Sequence, residues 1–158
     1  MASSRREEPG KAPSSIGVLF VCTGNSCRSQ MAEGFGRAYA PKGVRVFSAG
    51  TLAAGVHPLA VEAMGEIGID ISSQTSKRID EIPRDAIDIV VTLCDDAAQN
   101  CPLFPGEVRR IHWPIEDPIL AVGSHDQRLA DFRRARDEID PLVKNLMDEL
   151  ARETVTGG

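Results

Sequence analysis

Four cysteines, Cys22, Cys27, Cys94 and Cys101, are the side chains of this sequence best suited to nucleophilic or redox chemistry. Cys22 and Cys94 directly follow short apolar runs that are typical of buried strands. In an intracellular protein of this size, cysteines serve catalysis or metal binding more often than structural disulfides. The spacing therefore predicts thiol chemistry at the ends of two strands.

The segment CTGNSCRS, residues 22–29, joins the first apolar run to a stretch with helical periodicity. A glycine-containing loop at a helix N-terminus directs several backbone N–H groups to one point, where an oxyanion binds. Arg28 adds a bidentate fork for two anion oxygens. The same positive field stabilises a thiolate at Cys22, and Ser29 can donate a further hydrogen bond to it. The loop is thus predicted to hold a tetrahedral anion beside an activated nucleophile.

The expected anion contacts come from the residues that follow the nucleophile, namely Thr23, Gly24, Asn25, Ser26, Cys27, Arg28 and Ser29. An isolated Cys-x5-Arg pattern arises often by chance, so the functional interpretation depends on the strand before the loop and the helix after it. The Cys27 side chain is interpreted differently, because a cysteine inside such a loop is more often a small buried hydrophobe than a catalyst.

The elements that must position these residues alternate along the chain. Apolar runs predict strands, and helical spacing predicts helices. The predicted strands are 16–21, 44–48, 87–93 and 108–113, and the predicted helical segments are 26–39, 57–67, 95–99 and 126–153, the last kinked or split at Pro141. This order indicates an α/β fold with a four-stranded, mainly parallel sheet flanked by helices, whose ligands bind at the carboxyl ends of the strands.

Composition limits the function classes further. The chain has 158 residues, 42% hydrophobic and 26% charged, with a net charge of -5, so it is globular and lacks the basic footprint of a nucleic-acid-binding protein. No apolar run approaches the roughly 20 residues that span a membrane, and no signal peptide is evident, so we expect a cytoplasmic protein.

We expect a disordered tail at 1–15, one catalytic domain at 16–153 and a flexible C-terminus at 154–158.

Three motifs carry a resemblance to a known family. Cys-x5-Arg-Ser after the first strand resembles the phosphate loop of low-molecular-weight protein tyrosine phosphatases. The fuller run CTGNSCRSQMAE at 22–33, with CDDAAQNCP at 94–102 and HWPIEDP at 112–118, is similar to the thioredoxin-coupled arsenate reductases on the same fold. The resemblance covers roughly residues 16–140 and implies a low-molecular-weight phosphatase-like fold that reduces arsenate to arsenite.

The resemblance also implies a role for three thiols. Reduction of As(V) to As(III) takes two electrons, which two thiols supply when they become one disulfide. By the resemblance, Cys22 forms a thiol–arsenate adduct, Cys94 attacks the Cys22 sulfur, Cys101 attacks Cys94, and thioredoxin reduces the last disulfide. We expect the polar segment 95–100 to unwind during the exchange. A structural zinc site is disfavoured, since the sequence has no Cys-x2-Cys pair.

Asp117 is the general acid that the resemblance implies, and Glu116 is its rival. A low-molecular-weight tyrosine phosphatase is the alternative function, although the segment ILAVG at 119–123 has none of the aromatic residues that surround phosphotyrosine in those enzymes. A thiol-based binder of oxyanions or arsenite, without turnover, is a second alternative.

A potassium ion lies beside the loop in some reductases of this family, bound by Asn, Glu, Ser and Asp side chains. Asn25, Glu33 and Ser48 match three of these positions, but Lys77 stands where the fourth, acidic residue is expected. We predict that Lys77 pairs with Glu33 or Asn25 and that potassium does not stimulate activity. We expect no bound cofactor, thioredoxin as the external reductant, and a monomer.

Overall fold

The computed structural model describes residues 15–100, 104 and 106–157. Cys101, the predicted third thiol of the relay, lies outside the described residues, and so does the predicted tail up to residue 14. No helix in the described part of the chain is both long and apolar enough to cross a membrane.

Four strands form one sheet in the order β2-β1-β3-β4, and every neighbouring pair is parallel. The strands are β1 (Ile16–Cys22), β2 (Val44–Gly50), β3 (Ile89–Thr92) and β4 (Arg109–His112). The helices are α1 (Arg28–Tyr39), α2 (Pro58–Gly65), α3 (Asp95–Asn100) and α4 (His125–Gly157), and 3-10 turns occur at Ile79–Glu81, Arg84–Ala86 and Pro118–Leu120. The predicted α/β fold with a four-stranded sheet is confirmed, and the sheet is entirely parallel.

The central strand β1 is buried along almost its whole length, which explains its unbroken apolar sequence. Gly17 is needed near its start, because a Cβ atom there would lie 1.8 Å from the carbonyl oxygen of Ala86. Helices α1 and α4 pack against each other, and α2 packs on α4. The fully buried rings of Phe20, Phe35 and Phe132 lie in this core. Their packing supports the carboxyl end of β1, where the loop begins.

Helix α4 runs without a break through Pro141, so the predicted possibility of a split into two helices is wrong. A proline inside a helix costs about 3 kcal/mol. The helix offsets this cost because Phe132, Ile139 and Val143 are fully buried against the core, each contributing about 1.5–3 kcal/mol. The helix also continues past residue 153, the predicted end of the domain, to Gly157.

Candidate active site

The two thiols predicted at strand ends lie on the same side of the molecule, at the carboxyl ends of the two inner strands. Cys22 is the last residue of β1, and Cys94 lies two residues beyond the end of the neighbouring parallel strand β3. Both are buried and neither forms a disulfide. The Thr23 hydroxyl oxygen lies 3.2 Å from the Cys94 sulfur, so the anion loop contacts the second thiol directly.

Asn25 shapes the loop from within. It has a φ of 47°, the only positive value at a non-glycine position among the described residues, and its side chain is fully buried. Its Nδ2 donates to the hydroxyl oxygens of Ser29 at 2.8 Å and Ser48 at 3.0 Å, and its Oδ1 accepts from the Lys77 backbone N–H at 2.7 Å. These bonds compensate for the unusual backbone conformation and hold the turn in place.

Gln30 provides a second support that the sequence analysis missed. This fully buried amide donates from Nε2 to Asn25 Oδ1 at 3.0 Å and to the Thr75 carbonyl at 3.0 Å. Its own Oε1 accepts from Gln74 Nε2 at 2.8 Å. The available signal was a glutamine in the first turn of the helix that follows the anion loop. Two of its partners, Gln74 and Thr75, lie 44 and 45 residues away in the sequence.

The loop carbonyls point away from the anion site. The carbonyl oxygens of Thr23, Gly24 and Ser26 accept hydrogen bonds from backbone N–H groups of the segment 52–57 at 2.8 to 3.0 Å. Within the described part of the chain, no backbone N–H from Thr23 to Arg28 donates to another residue. The loop therefore keeps these N–H groups available as donors, as an oxyanion-binding loop requires.

Cys22 has the surroundings of a nucleophile. Its sulfur lies 2.9 Å from the Ser29 hydroxyl oxygen, and only 2% of the residue is exposed. Because Asn25 Nδ2 already donates to that oxygen, the Ser29 proton is available to the Cys22 sulfur. The Ser29 hydroxyl therefore serves as a hydrogen-bond donor to the Cys22 sulfur at the start of the anion loop.

Arg28 begins α1 with its side chain almost fully buried. Nη1 donates to the Ile115 carbonyl at 2.9 Å, and Nη2 lies 3.2 Å from Asp117 Oδ2. Its Nε is the only buried side-chain nitrogen or oxygen in the described residues that has no hydrogen-bond partner. An unpaired buried donor is costly, so a donor beside the loop indicates a site for an anionic ligand.

The structure distinguishes the two candidate acids. Asp117 Oδ1 accepts the Ile119 backbone N–H at 3.0 Å and Oδ2 faces Arg28, which holds this carboxyl group at the loop. The Glu116 side chain is exposed, and the contact recorded for this residue is from its carbonyl oxygen to Arg134 at 3.1 Å. The geometry thus favours Asp117 over Glu116.

Cys94 caps the short helix α3. Its sulfur accepts the Ala97 backbone N–H at 3.3 Å, and its carbonyl oxygen accepts the Ala98 N–H at 3.1 Å. The helical turn predicted after this cysteine is therefore present. Together with the Thr23 hydroxyl, the Ala97 N–H provides a second polar contact to the Cys94 sulfur.

Cys27 is a buried thiol of a different kind. It is 4% exposed, and burial raises its pKa to about 12, an effect that the contact with Ser26 only partly offsets. At neutral pH this side chain is a protonated, apolar group. Its environment agrees with the prediction that it fills space in the loop.

The positions expected to hold potassium are already balanced by cationic side chains. Glu33 Oε1 accepts the Ser48 hydroxyl at 2.5 Å, and Glu33 Oε2 lies 2.6 Å from Arg37. Lys77 Nζ lies 4.0 Å from Glu33 Oε1, which is the predicted ion pair, and it donates to the Thr75 carbonyl at 2.5 Å. The contact of Lys77 with Asn25 is made by its backbone N–H and not by its side chain. Two positive side chains at one buried carboxylate repel a further cation, so these residues do not fit a potassium ion. No cluster of three or more His, Cys, Asp or Glu residues suited to a metal occurs in the described residues.

Comparisons with known proteins agree with this site. The family model described as low molecular weight phosphotyrosine protein phosphatase matches residues 17–156. The arsenate reductase of Shouchella clausii (strain KSM-K16) is 51% identical over 131 residues, which cover 83% of this chain and 94% of that protein.

Solved structures give the same result. An arsenate reductase in the oxidized state superposes with a TM-score of 0.72 at 37% identity, covering 84% of this chain and 97% of that one. The thioredoxin-dependent arsenate reductase of Corynebacterium glutamicum superposes with a TM-score of 0.68 at 31% identity, covering 90% of this chain and 65% of that one. On both sequence and structure, the chain belongs to the low molecular weight phosphotyrosine protein phosphatase family and, within it, to the arsenate reductases.

Proposed function

We propose that the protein reduces arsenate to arsenite through a relay of Cys22, Cys94 and Cys101, and that thioredoxin reduces the final disulfide. The observation that carries this proposal is the 3.2 Å contact between Thr23 of the anion loop and the sulfur of Cys94. The reaction of a tyrosine phosphatase uses the loop, one thiol and an acid. It gives no role to Cys94, the second buried thiol beside the loop. The relay as proposed needs neither a second copy of the chain nor a bound cofactor.

The first step uses the loop and Arg28. The N–H groups of residues 23–28 and the unpaired Nε of Arg28 bind three oxygens of arsenate, and the Cys22 thiolate attacks arsenic. A sulfur–arsenic bond forms, and one arsenic–oxygen bond breaks. The adjacent Asp117 carboxyl group donates a proton to that oxygen, which leaves as water.

The second step supplies the two electrons. The Cys94 thiolate attacks the Cys22 sulfur, a disulfide forms, and the sulfur–arsenic bonding pair remains on arsenic, which leaves as arsenite. The Thr23 hydroxyl and the Ala97 N–H both contact the Cys94 sulfur, so this thiol is held beside the anion loop.

The third step requires α3 to open. The Cys101 thiolate attacks the Cys94 sulfur, and Cys22 leaves as a thiolate with the bonding pair. Seven residues of α-helix rise about 10 Å, whereas a disulfide joins Cα atoms that are at most about 7 Å apart. We therefore expect α3 to unwind when the Cys94–Cys101 disulfide forms, so that the unwound segment offers the disulfide to the thioredoxin dithiol.

The test is steady-state turnover with arsenate, measured as NADPH oxidation in the presence of thioredoxin and thioredoxin reductase. We expect turnover to depend on both arsenate and thioredoxin and to exceed the release of p-nitrophenol from its phosphate ester. Rapid phosphate-ester hydrolysis with no NADPH oxidation supports a phosphatase instead, and stoichiometric oxyanion binding without turnover supports a binding protein.

The relay itself is tested by Cys101→Ser. This variant is expected to stop after one arsenite per chain, with a Cys22–Cys94 disulfide visible by mass spectrometry of the alkylated protein. Cys27→Ser is the matched control and is expected to keep multiple turnover, because Cys27 is a protonated thiol with no place in the relay. Undiminished multiple turnover of Cys101→Ser excludes the three-thiol sequence.

A further inference from the structure

We infer that His112 is a positioning residue that holds α3 closed through Asp95 and thereby limits the step in which Cys101 attacks Cys94. The inference rests on the proposed relay and concerns what controls its last internal step. His112 ends β4, and its ring lies between two partners: Nδ1 is 2.8 Å from the Thr92 hydroxyl oxygen, and Nε2 is 3.2 Å from Asp95 Oδ1. We call Thr92, His112 and Asp95 the His112 clamp.

One side of the His112 clamp belongs to the rigid sheet. Thr92 and His112 are register partners on the adjacent strands β3 and β4, and Thr92 is 5% exposed. The Thr92 carbonyl also accepts the Trp113 backbone N–H at 2.8 Å, which fixes the strand ends relative to each other. The imidazole is thus oriented by a buried hydroxyl, and its Nε2 faces Asp95 Oδ1.

The other side of the His112 clamp is the first residue of α3. Asp95 directly follows Cys94, and among the described side chains of α3 it is the one that forms a hydrogen bond to the sheet. A helix of six residues is not stable by itself, so its closed state depends on such anchors. The remaining described anchor within α3 is the small, fully buried side chain of Ala97.

The contact between His112 and Asp95 is weak enough to let α3 open. The Asp95 side chain is 85% exposed and that of His112 is 37% exposed, so water competes for the pair. Exposed pairs of this kind shift a local equilibrium by about two- to fivefold. Since α3 opens before a Cys94–Cys101 bond can form and Cys22 can leave as a thiolate, the rate of that exchange follows the open fraction of α3.

Two substitutions of His112 separate its contacts. His112→Asn keeps a polar group near Thr92 but is too short to reach Asp95, whereas His112→Gln places an amide N–H near the position of Nε2. Asp95→Ala removes the other partner. His125→Ala is the matched control, because His125 Nε2 forms a similar exposed pair with Glu62 at 3.1 Å, away from α3.

Two measurements are made on the full-length reduced protein. Amide hydrogen exchange at Ala97 and Ala98 reports the opening of α3, because both N–H groups bond to Cys94. Acid quenching, alkylation and mass spectrometry after a single arsenate turnover give the rate at which the Cys94–Cys101 disulfide replaces the Cys22–Cys94 disulfide.

We expect His112→Asn and Asp95→Ala each to raise both rates about two- to fivefold. The double variant should be no faster than either single variant, because both remove the same contact. His112→Gln should return both rates to near those of the unmodified protein, and His125→Ala should leave them unchanged.

Unchanged amide exchange in His112→Asn and Asp95→Ala overturns the inference, and so does additivity in the double variant. Faster amide exchange with an unchanged disulfide-exchange rate overturns the assignment of His112 to that step. If the unmodified protein forms no disulfide with arsenate, the proposed relay itself fails, and amide exchange still decides whether the His112 clamp holds α3.

Discussion

Arg28 and Asp117, 89 positions apart in the sequence, meet at 3.2 Å between Nη2 and Oδ2 at the mouth of the anion loop. Arg28 is fixed by the Ile115 carbonyl through Nη1 and keeps Nε as a donor for the anion. Asp117 is fixed by the Ile119 N–H through its other oxygen. Because each side chain holds the other, the roles proposed here, anion binding by Arg28 and proton donation by Asp117, are expected to be coupled.

Arg28→Lys is expected to lower kcat/KM for arsenate by at least about 100-fold, because one ammonium group cannot contact the Ile115 carbonyl, Asp117 and two anion oxygens together. Thioredoxin-coupled NADPH oxidation measures the loss. Arg133→Lys, an exposed position on α4, is the control and should retain full activity. If kcat/KM of Arg28→Lys lies within threefold of that of the unmodified protein, the planar guanidinium group is not required at this position.

Asp117→Asn is expected to reduce kcat by about 10²- to 10⁴-fold, because the amide cannot donate a carboxyl proton to the leaving oxygen. The substitution preserves an oxygen that accepts the Ile119 N–H, so the turn that follows should persist. Glu116→Gln is the matched control and should change kcat less than twofold. The assignment is wrong if Glu116→Gln is the more damaging of the two, as seen in single-turnover arsenite release.

The Cys27 thiol predicts a pH dependence of stability. Its pKa is raised from 9.0 to about 12 by burial, so above pH 9 the unfolded chain loses a proton that the folded chain retains. The stabilisation due to this residue is therefore complete below pH 9 and is lost as the pH rises, by about 1.4 kcal/mol per pH unit. The free energies of unfolding of the unmodified protein and of Cys27→Ala are measured in urea between pH 7 and pH 11. The difference between the two free energies should shrink above pH 9.

A second group titrates in the same range, since the hydrogen bond to Asp140 raises the pKa of Tyr39 to about 12. The contribution of Tyr39 is the same in the unmodified protein and in Cys27→Ala, so it cancels in the difference between their free energies of unfolding. A difference that stays constant to pH 11 contradicts a buried, protonated Cys27.

The sequence was sufficient to predict the positions of Cys22, Arg28 and Cys94, because each is fixed locally by the end of an apolar strand or by the start of a helix. Asp117 was named as the acid only through the family resemblance, with Glu116 as its rival, because the choice depends on which carboxyl group faces Arg28 after the chain has folded. The contact of His112 with Asp95 was not predicted for the same reason.

The continuity of α4 shows the converse limit. Proline is a local signal for a kink or a break, so the sequence led us to expect a helix kinked or split at Pro141, and the structure excludes the split. The buried face on both sides of Pro141 outweighs that local cost in the folded protein, which periodicity alone does not quantify.

Potassium is expected to leave the rate unchanged. Replacing sodium by potassium at fixed ionic strength should not alter kcat/KM for arsenate, because Arg37 and Lys77 already balance the Glu33 carboxylate. Lys77→Asp removes one cation and places a second carboxylate there, so this variant should become faster in potassium than in sodium. Lys144→Asp, at an exposed position on α4, is the charge-matched control and should remain indifferent to the cation. A clear rate increase with potassium in the unmodified protein contradicts the balance of charges at Glu33, since a cation can then compete with Lys77 for that carboxylate.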